Sequence, residues 1–180
     1  GEATFTVPSA LQTNFPNGEF TASLPLPQVL TLGLAYMPTE KLSFALDINY
    51  VGRKAYDTLS FDYANNTASL IDTKSARNYK NTFAFRLGGQ YKITEGLAAR
   101  LGIAYGISPV QDGYVTPETP DADRVIYTAG IGYTIKKKFG INASFYFSQL
   151  KREGTNLETN LSGTYKTNVF IPGLSLFYNF

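Results

Sequence analysis

Between residues 82 and 93 apolar and polar positions alternate without a break. Phe83, Phe85, Leu87, Gly89, Tyr91 and Ile93 fall on one parity, and Thr82, Ala84, Arg86, Gly88, Gln90 and Lys92 on the other. A period of two is that of a β-strand whose two faces meet different surroundings. The same split runs through residues 30–36, 42–53, 97–107, 125–135, 139–149 and 170–180, with Ile126 breaking the pattern within 125–135. The pattern predicts seven strands. A stub at residues 3–7 alternates in the same way and is cut by Pro8.

The intervals between strands alternate as well. Segments 38–41, 94–96 and 136–138 are short turns, whereas 9–27, 54–81, 108–124 and 150–166 are long, with part of 54–81 expected to extend the preceding strand. Short turns on one rim and long loops on the other are the habit of outer-membrane barrels, the short ones being periplasmic. Pairing Ile93 with Leu97 sets Gln90 opposite Arg100 and Tyr91 opposite Ala99, so apolar faces stay matched across the hairpin. Pairing Ile135 with Phe139 and Tyr36 with Leu42 preserves the same match, which a slip of one residue would destroy. Strands of about 11 residues, tilted by about 40°, cover roughly 27 Å, the height of a barrel's apolar band. Tyr36, Tyr91, Tyr133, Tyr178 and Phe180 then ring the short-turn rim, and Tyr50, Tyr105, Tyr127 and Phe147 the other.

Composition sharpens the choice of solvent. The 180 residues have a mean hydropathy of −0.14 and no unbroken apolar run approaching the roughly 18 residues of a membrane helix, which excludes a helical membrane protein and leaves a barrel open. A soluble sandwich or lipocalin-like barrel is the rival fold. Its water-facing side would carry Lys, Glu and Thr, whereas the polar face here carries Gly33, Gly88, Gly102, Gly130, Gly132 and Gly140 with Ala and Ser, which suits a crowded lumen. The expected class is all-β, an antiparallel transmembrane barrel occupying residues 1–180 as one region. With no His and no Cys there is no His general base, thiol nucleophile, usual zinc or haem ligand set or disulfide, so neither an enzyme nor a bound cofactor is expected. A net charge of +2, with Lys136-Lys137-Lys138 as the only basic run, argues against nucleic acid as a partner.

The stretch from Arg100 to Arg124, Arg-Leu-Gly-Ile-Ala-Tyr-Gly-Ile-Ser-Pro-Val-Gln-Asp-Gly-Tyr-Val-Thr-Pro-Glu-Thr-Pro-Asp-Ala-Asp-Arg, resembles the loop signature of the FadL/TodX family of outer-membrane transporters. Leu24-Pro-Leu-Pro27, Arg77-Asn-Tyr-Lys-Asn-Thr82 and Gly163-Thr-Tyr-Lys-Thr167 are similar to segments of that family's C-terminal half. The resemblance implies a fourteen-stranded barrel in the bacterial outer membrane, passing long-chain fatty acids or similar hydrophobic molecules by passive diffusion. It also implies an N-terminal hatch and a kinked strand, neither of which is visible in these residues. Seven strands plus a stub correspond to the C-terminal half, whose two edges require the remainder of the barrel. An eight-stranded barrel closed by the stub is the alternative. The end Gly173-Leu-Ser-Leu-Phe-Tyr178-Asn-Phe180 resembles a barrel-assembly signal, with Tyr178 and Phe180 as its aromatics and the assembly machinery as the implied partner.

Candidate ligand contacts come from the polar parity: Asp47, Asn49, Arg86, Gln90 and Arg100. The two arginines stand out because a fatty carboxylate is matched by a planar two-donor fork. Lumen arginines also pair with acids to hold a barrel interior, and Asp47 is the expected partner for one of them. In segment 108–124, Pro109, Pro117 and Pro120 stiffen the backbone, and Asp121, Asp123 and Arg124 are placed to cap or bridge the strand entrance. Asp112, Glu118, Asp121 and Asp123 are candidates for a calcium site, without EF-hand spacing. Transport and service as a scaffold for another outer-membrane or secreted protein stay open together, since both need the same wall.

Overall fold

The computed structural model describes residues 1–136 and 138–179; Lys137 of the basic run and Phe180 of the assembly signal lie outside them. Eleven strands appear among the described residues: β1 (Glu2–Ala3), β2 (Gly18–Ala22), β3 (Val29–Tyr36), β4 (Leu42–Val51), β5 (Thr58–Tyr63), β6 (Thr73–Ala76), β7 (Thr82–Lys92), β8 (Leu97–Gly106), β9 (Arg124–Ile135), β10 (Phe139–Thr155) and β11 (Ser162–Tyr178). Seven form one antiparallel sheet in the order β11-β10-β9-β8-β7-β4-β3, and these are the seven that the period of two marks out. The chain is all-β, and the sheet is an open piece of barrel wall. Its edges are β3 and β11. The stub does not close it, because β1 pairs with β2, Glu2 opposite Glu19, in a separate four-stranded sheet β1-β2-β5-β6.

Two hairpins have the expected register, with Gln90 opposite Arg100 and Phe139 opposite Ile135. The third differs by two residues: Tyr36 pairs with Phe44 rather than Leu42. The Leu42 amide is held in the turn by Thr39, 3.1 Å from its Oγ1, and Leu42 pairs instead with Tyr91 on β7. A shift of two preserves parity, so every side chain keeps its face.

The long segments depart further from expectation. Residues 54–81 do not extend β4; Gly52 N–H is held by Gln28 O, and a 3-10 turn at Arg53–Ala55 leads into the β5-β6 hairpin. Residues 150–166 are mostly strand rather than loop, since β10 and β11 run 17 residues each and pair from Phe139↔Tyr178 up to Thr155↔Ser162. That hairpin continues six residues beyond Gln149, where the alternation stops.

Burial is inverted relative to a water-soluble protein. Leu32, Leu87, Leu101, Phe170 and Leu174 on the apolar parity are exposed, as a lipid-facing surface requires. The buried apolar cluster lies instead at the long-loop rim, where Tyr79, Val110 and Val115 pack with Tyr56 and Tyr165.

Candidate functional site

The lumen face is built on one pairing rule. Gly33, Gly102, Gly132 and Gly173 each lie directly opposite a small polar residue, Asp47, Thr128, Asn142 and Ser144. In every case the polar side chain leans over the glycine, so a Cβ there would strike its oxygen. The glycines make room for cross-strand polar groups that would otherwise collide in a narrow interior.

Two hydrogen-bonded rungs cross this face, the second of them over Gly132. In the first, Arg86 Nη1 on β7 donates to Asn49 Oδ1 on β4, and Asn49 Nδ2 donates to Thr31 Oγ1 on β3 at 2.6 Å. In the second, Arg100 on β8 donates from Nε to Gln90 Oε1 at 2.7 Å and from Nη1 to Asn142 Oδ1 on β10 at 3.3 Å. Asn142 Nδ2 then donates to Ser175 Oγ on β11 at 3.4 Å. The five candidate residues therefore divide between the rungs, except Asp47. Asp47 is register partner of Arg86, yet among the described residues it forms no ion pair with Arg86 or Arg100, because its carboxylate leans towards Gly33. Both arginines are held by neutral amides, with no carboxylate partner among the described residues. They line a hollow of about 890 Å³ together with Asp47, Gln90, Ser144 and Tyr146, floored by Gly88, Gly102 and Gly130.

Segment 108–124 is packed down onto the rim. Arg77, 6% exposed, donates to Thr116 Oγ1 and Glu118 Oε2, both at 3.2 Å, while Tyr79 OH reaches Thr119 Oγ1. Pro109 O accepts from Lys80 N–H at 3.0 Å. Arg152 donates to Val110 O and to Asp112 Oδ1 at 2.9 Å. Gly113 takes a left-handed φ of 86°, and Leu157 of the β10-β11 tip packs over it where a side chain would clash. Asp123 Oδ1 and Oδ2 accept from Ser108 N–H and Tyr105 OH, both at 2.8 Å. Partial burial works against the Asp123 carboxylate, but those two donors with the charges of Lys80 and Arg152 outweigh it and hold its pKa below the ordinary value. Asp121 pairs with Arg124 at 3.5 Å. The four acids proposed for calcium thus share no hydrogen-bond or ion-pair partner, and no metal-binding cluster exists among the described residues. Pro117 occupies the second position of the Thr116–Thr119 turn and Pro120 follows it.

Arg152 and Arg77 hold segment 108–124 to the rim, and the period of two did not single them out. Extending the parity of β10 past Gln149 would have placed Arg152 on the lumen side. Nothing in the sequence marks the burial of Arg77.

Residues 2–180 match the family model described as outer membrane protein transport protein (OMPP1/FadL/TodX). The chain belongs to this family. An outer membrane protein of Neisseria meningitidis serogroup B is 26% identical over 170 residues, covering 86% of this chain and 36% of its own length. The crystal structure of a Pseudomonas aeruginosa FadL homologue superposes with a TM-score of 0.78 at 23% identity, over 90% of this chain and 38% of that one. The Pseudomonas putida toluene transporter TodX gives 0.59 at 24%, over 91% and 37%. The chain spans little more than a third of the length of these OMPP1/FadL/TodX proteins. Its sheet is the C-terminal part of their barrel, and its place is the bacterial outer membrane.

Proposed function

We propose that these strands form part of the wall of a passive conduit for small hydrophobic molecules, with long-chain fatty acids as the ligand class. One observation carries the choice of ligand: Arg86 and Arg100 project into the lumen hollow and are fixed by Asn49, Gln90 and Asn142 rather than by any carboxylate among the described residues. An arginine oriented by neutral acceptors still attracts an anion, and its fork matches a carboxylate. The glycine floor and alanine-rich flanks accept an acyl chain alongside. Family membership and the names of neighbours such as the toluene transporter support a hydrophobic cargo, and the arginines favour one with an acidic head.

The lumen chemistry required of these residues is binding and release. Arg100 offers a charge that is positioned but not neutralised, so an anionic head group gains attraction without displacing an acid. The test is uptake of labelled oleate by cells with and without the gene. Gene-dependent uptake is expected, and equal uptake by both strains would overturn the proposal.

A further inference from the structure

The outer surface of the β10-β11 hairpin changes chemistry within a few residues. Its outward pairs, read upward, are Phe145↔Pro172, Phe147↔Phe170, Gln149↔Asn168 and Lys151↔Lys166. Phe147 and Phe170 pack with ring centroids 4.8 Å apart and planes tilted by 34°, and Gln149 Nε2 donates to Asn168 Oδ1 at 3.0 Å. The apolar surface ends there. Four residues of strand, about 13 Å along the chain, separate Phe147 from Lys151, which brings the two ammonium groups to the headgroup layer.

We propose that Lys151 and Lys166 bind the phosphates of an anionic lipid in the outer leaflet. Like charges directly opposite each other on a sheet are destabilising unless something between them is negative. Glu153 bonds Lys151 and also feels the charge of Lys166, but one carboxylate cannot neutralise two ammonium groups, and Lys166 has none within ion-pair distance among the described residues. The lysines border an outward hollow of about 540 Å³ whose lower wall is Tyr127 and Phe147 and whose middle is Gln149 and Asn168. Asp123 also reaches this hollow, but its oxygens are taken by Tyr105 and Ser108, and Arg124 there is paired with Asp121. Apolar below, amide in the middle and cationic above is the order of a lipid's acyl chain, backbone and phosphate. A soluble anion would have no use for the aromatic wall. Basic clusters at this height add roughly fivefold in affinity per cation for anionic lipid.

The experiment uses the full-length protein in detergent micelles, with fluorescent bisphosphorylated lipid A as probe and heat-modifiable gel mobility to establish that each variant is folded. Lys151→Gln with Lys166→Gln is expected to weaken binding by about 25-fold, the product of two such factors. Lys151→Arg with Lys166→Arg is expected to restore it, and Lys92→Gln on the opposite rim to leave it unchanged. Unchanged binding in the double glutamine variant would overturn the proposal. So would displacement of the lipid by millimolar inorganic phosphate, which would make this a soluble-anion site.

Discussion

Arg100 reaches Asn142 across a strand that lies between them: its guanidinium passes over Gly132 of β9 to a side chain on β10. A Cβ at residue 132 would lie 2.9 Å from Arg100 Nη1 and would collide with Asn142 Oδ1. The bare backbone is therefore a condition for the rung. Gly132→Val is expected to cost about 1–3 kcal/mol, the usual penalty for overfilling a packed site, in a denaturant titration of the folded barrel. Gly163→Ala, which meets nothing within 4 Å, should stay within about 0.5 kcal/mol of the parent. A neutral Gly132→Val would refute the crossing.

If the lumen arginines select an acidic head group, Arg86→Ala and Arg100→Ala should weaken binding of oleate by about tenfold or more, the worth of a charge-assisted hydrogen bond. Toluene binding should be unaffected. Equal losses for both ligands would assign the arginines to wall integrity alone.

Arg77 holds Thr116 and Glu118 from a buried position at the rim. Arg77→Met should release segment 108–124 without unfolding the wall, a local opening visible as new protease cleavage between residues 108 and 124. Glu118→Gln should have little effect, because that carboxylate is 73% exposed and its ion pair is worth under about 1 kcal/mol.

The Asp123 carboxylate titrates below its ordinary value in the folded protein. A group with a lowered folded pKa stabilises at every pH above its unfolded value, about 3.9, and loses that contribution as pH falls through the folded one. The same direction holds for Glu158, which accepts from Ala76 N–H and Ser75 Oγ and is held low by them. A nitroxide on Tyr114→Cys should therefore stay immobile from pH 7 to pH 5 and loosen only below about pH 4. In Asp123→Asn the acid-dependent step should shrink. Loosening between pH 7 and 5 would contradict the assignment.

Wall and rim were unequally legible from the sequence. Parity found all seven wall strands because lipid and lumen sort side chains at every second residue, and it placed Gln90 opposite Arg100. It missed the two-residue shift at Tyr36, since parity is blind to even displacements and the decisive bond is the capture of the Leu42 amide by Thr39. Above the membrane both faces meet water or polar loops, so Lys151, Arg152, Glu153 and Gly154 show no alternation and the upper halves of β10 and β11 were hidden. Opposed register positions also mislead where glycines intervene. Asp47 faces Arg86 in the ladder, but the space over Gly33 draws it away.

Gly89, Ala99 and Ala129, small residues of the apolar parity on β7, β8 and β9, line an outward hollow of about 640 Å³ bounded by Phe44, Leu87, Leu101, Tyr127 and Phe145. Inside a protein such a void would be a permanent defect, because the neighbours are too stiff to fill it. Against a fluid bilayer it heals, as acyl chains flow into whatever relief the surface presents. Large-to-small changes on this face should forfeit only transfer energy and no cavity penalty, so the outer wall is free to drift in sequence while the rim around Val115 and Arg77 is not.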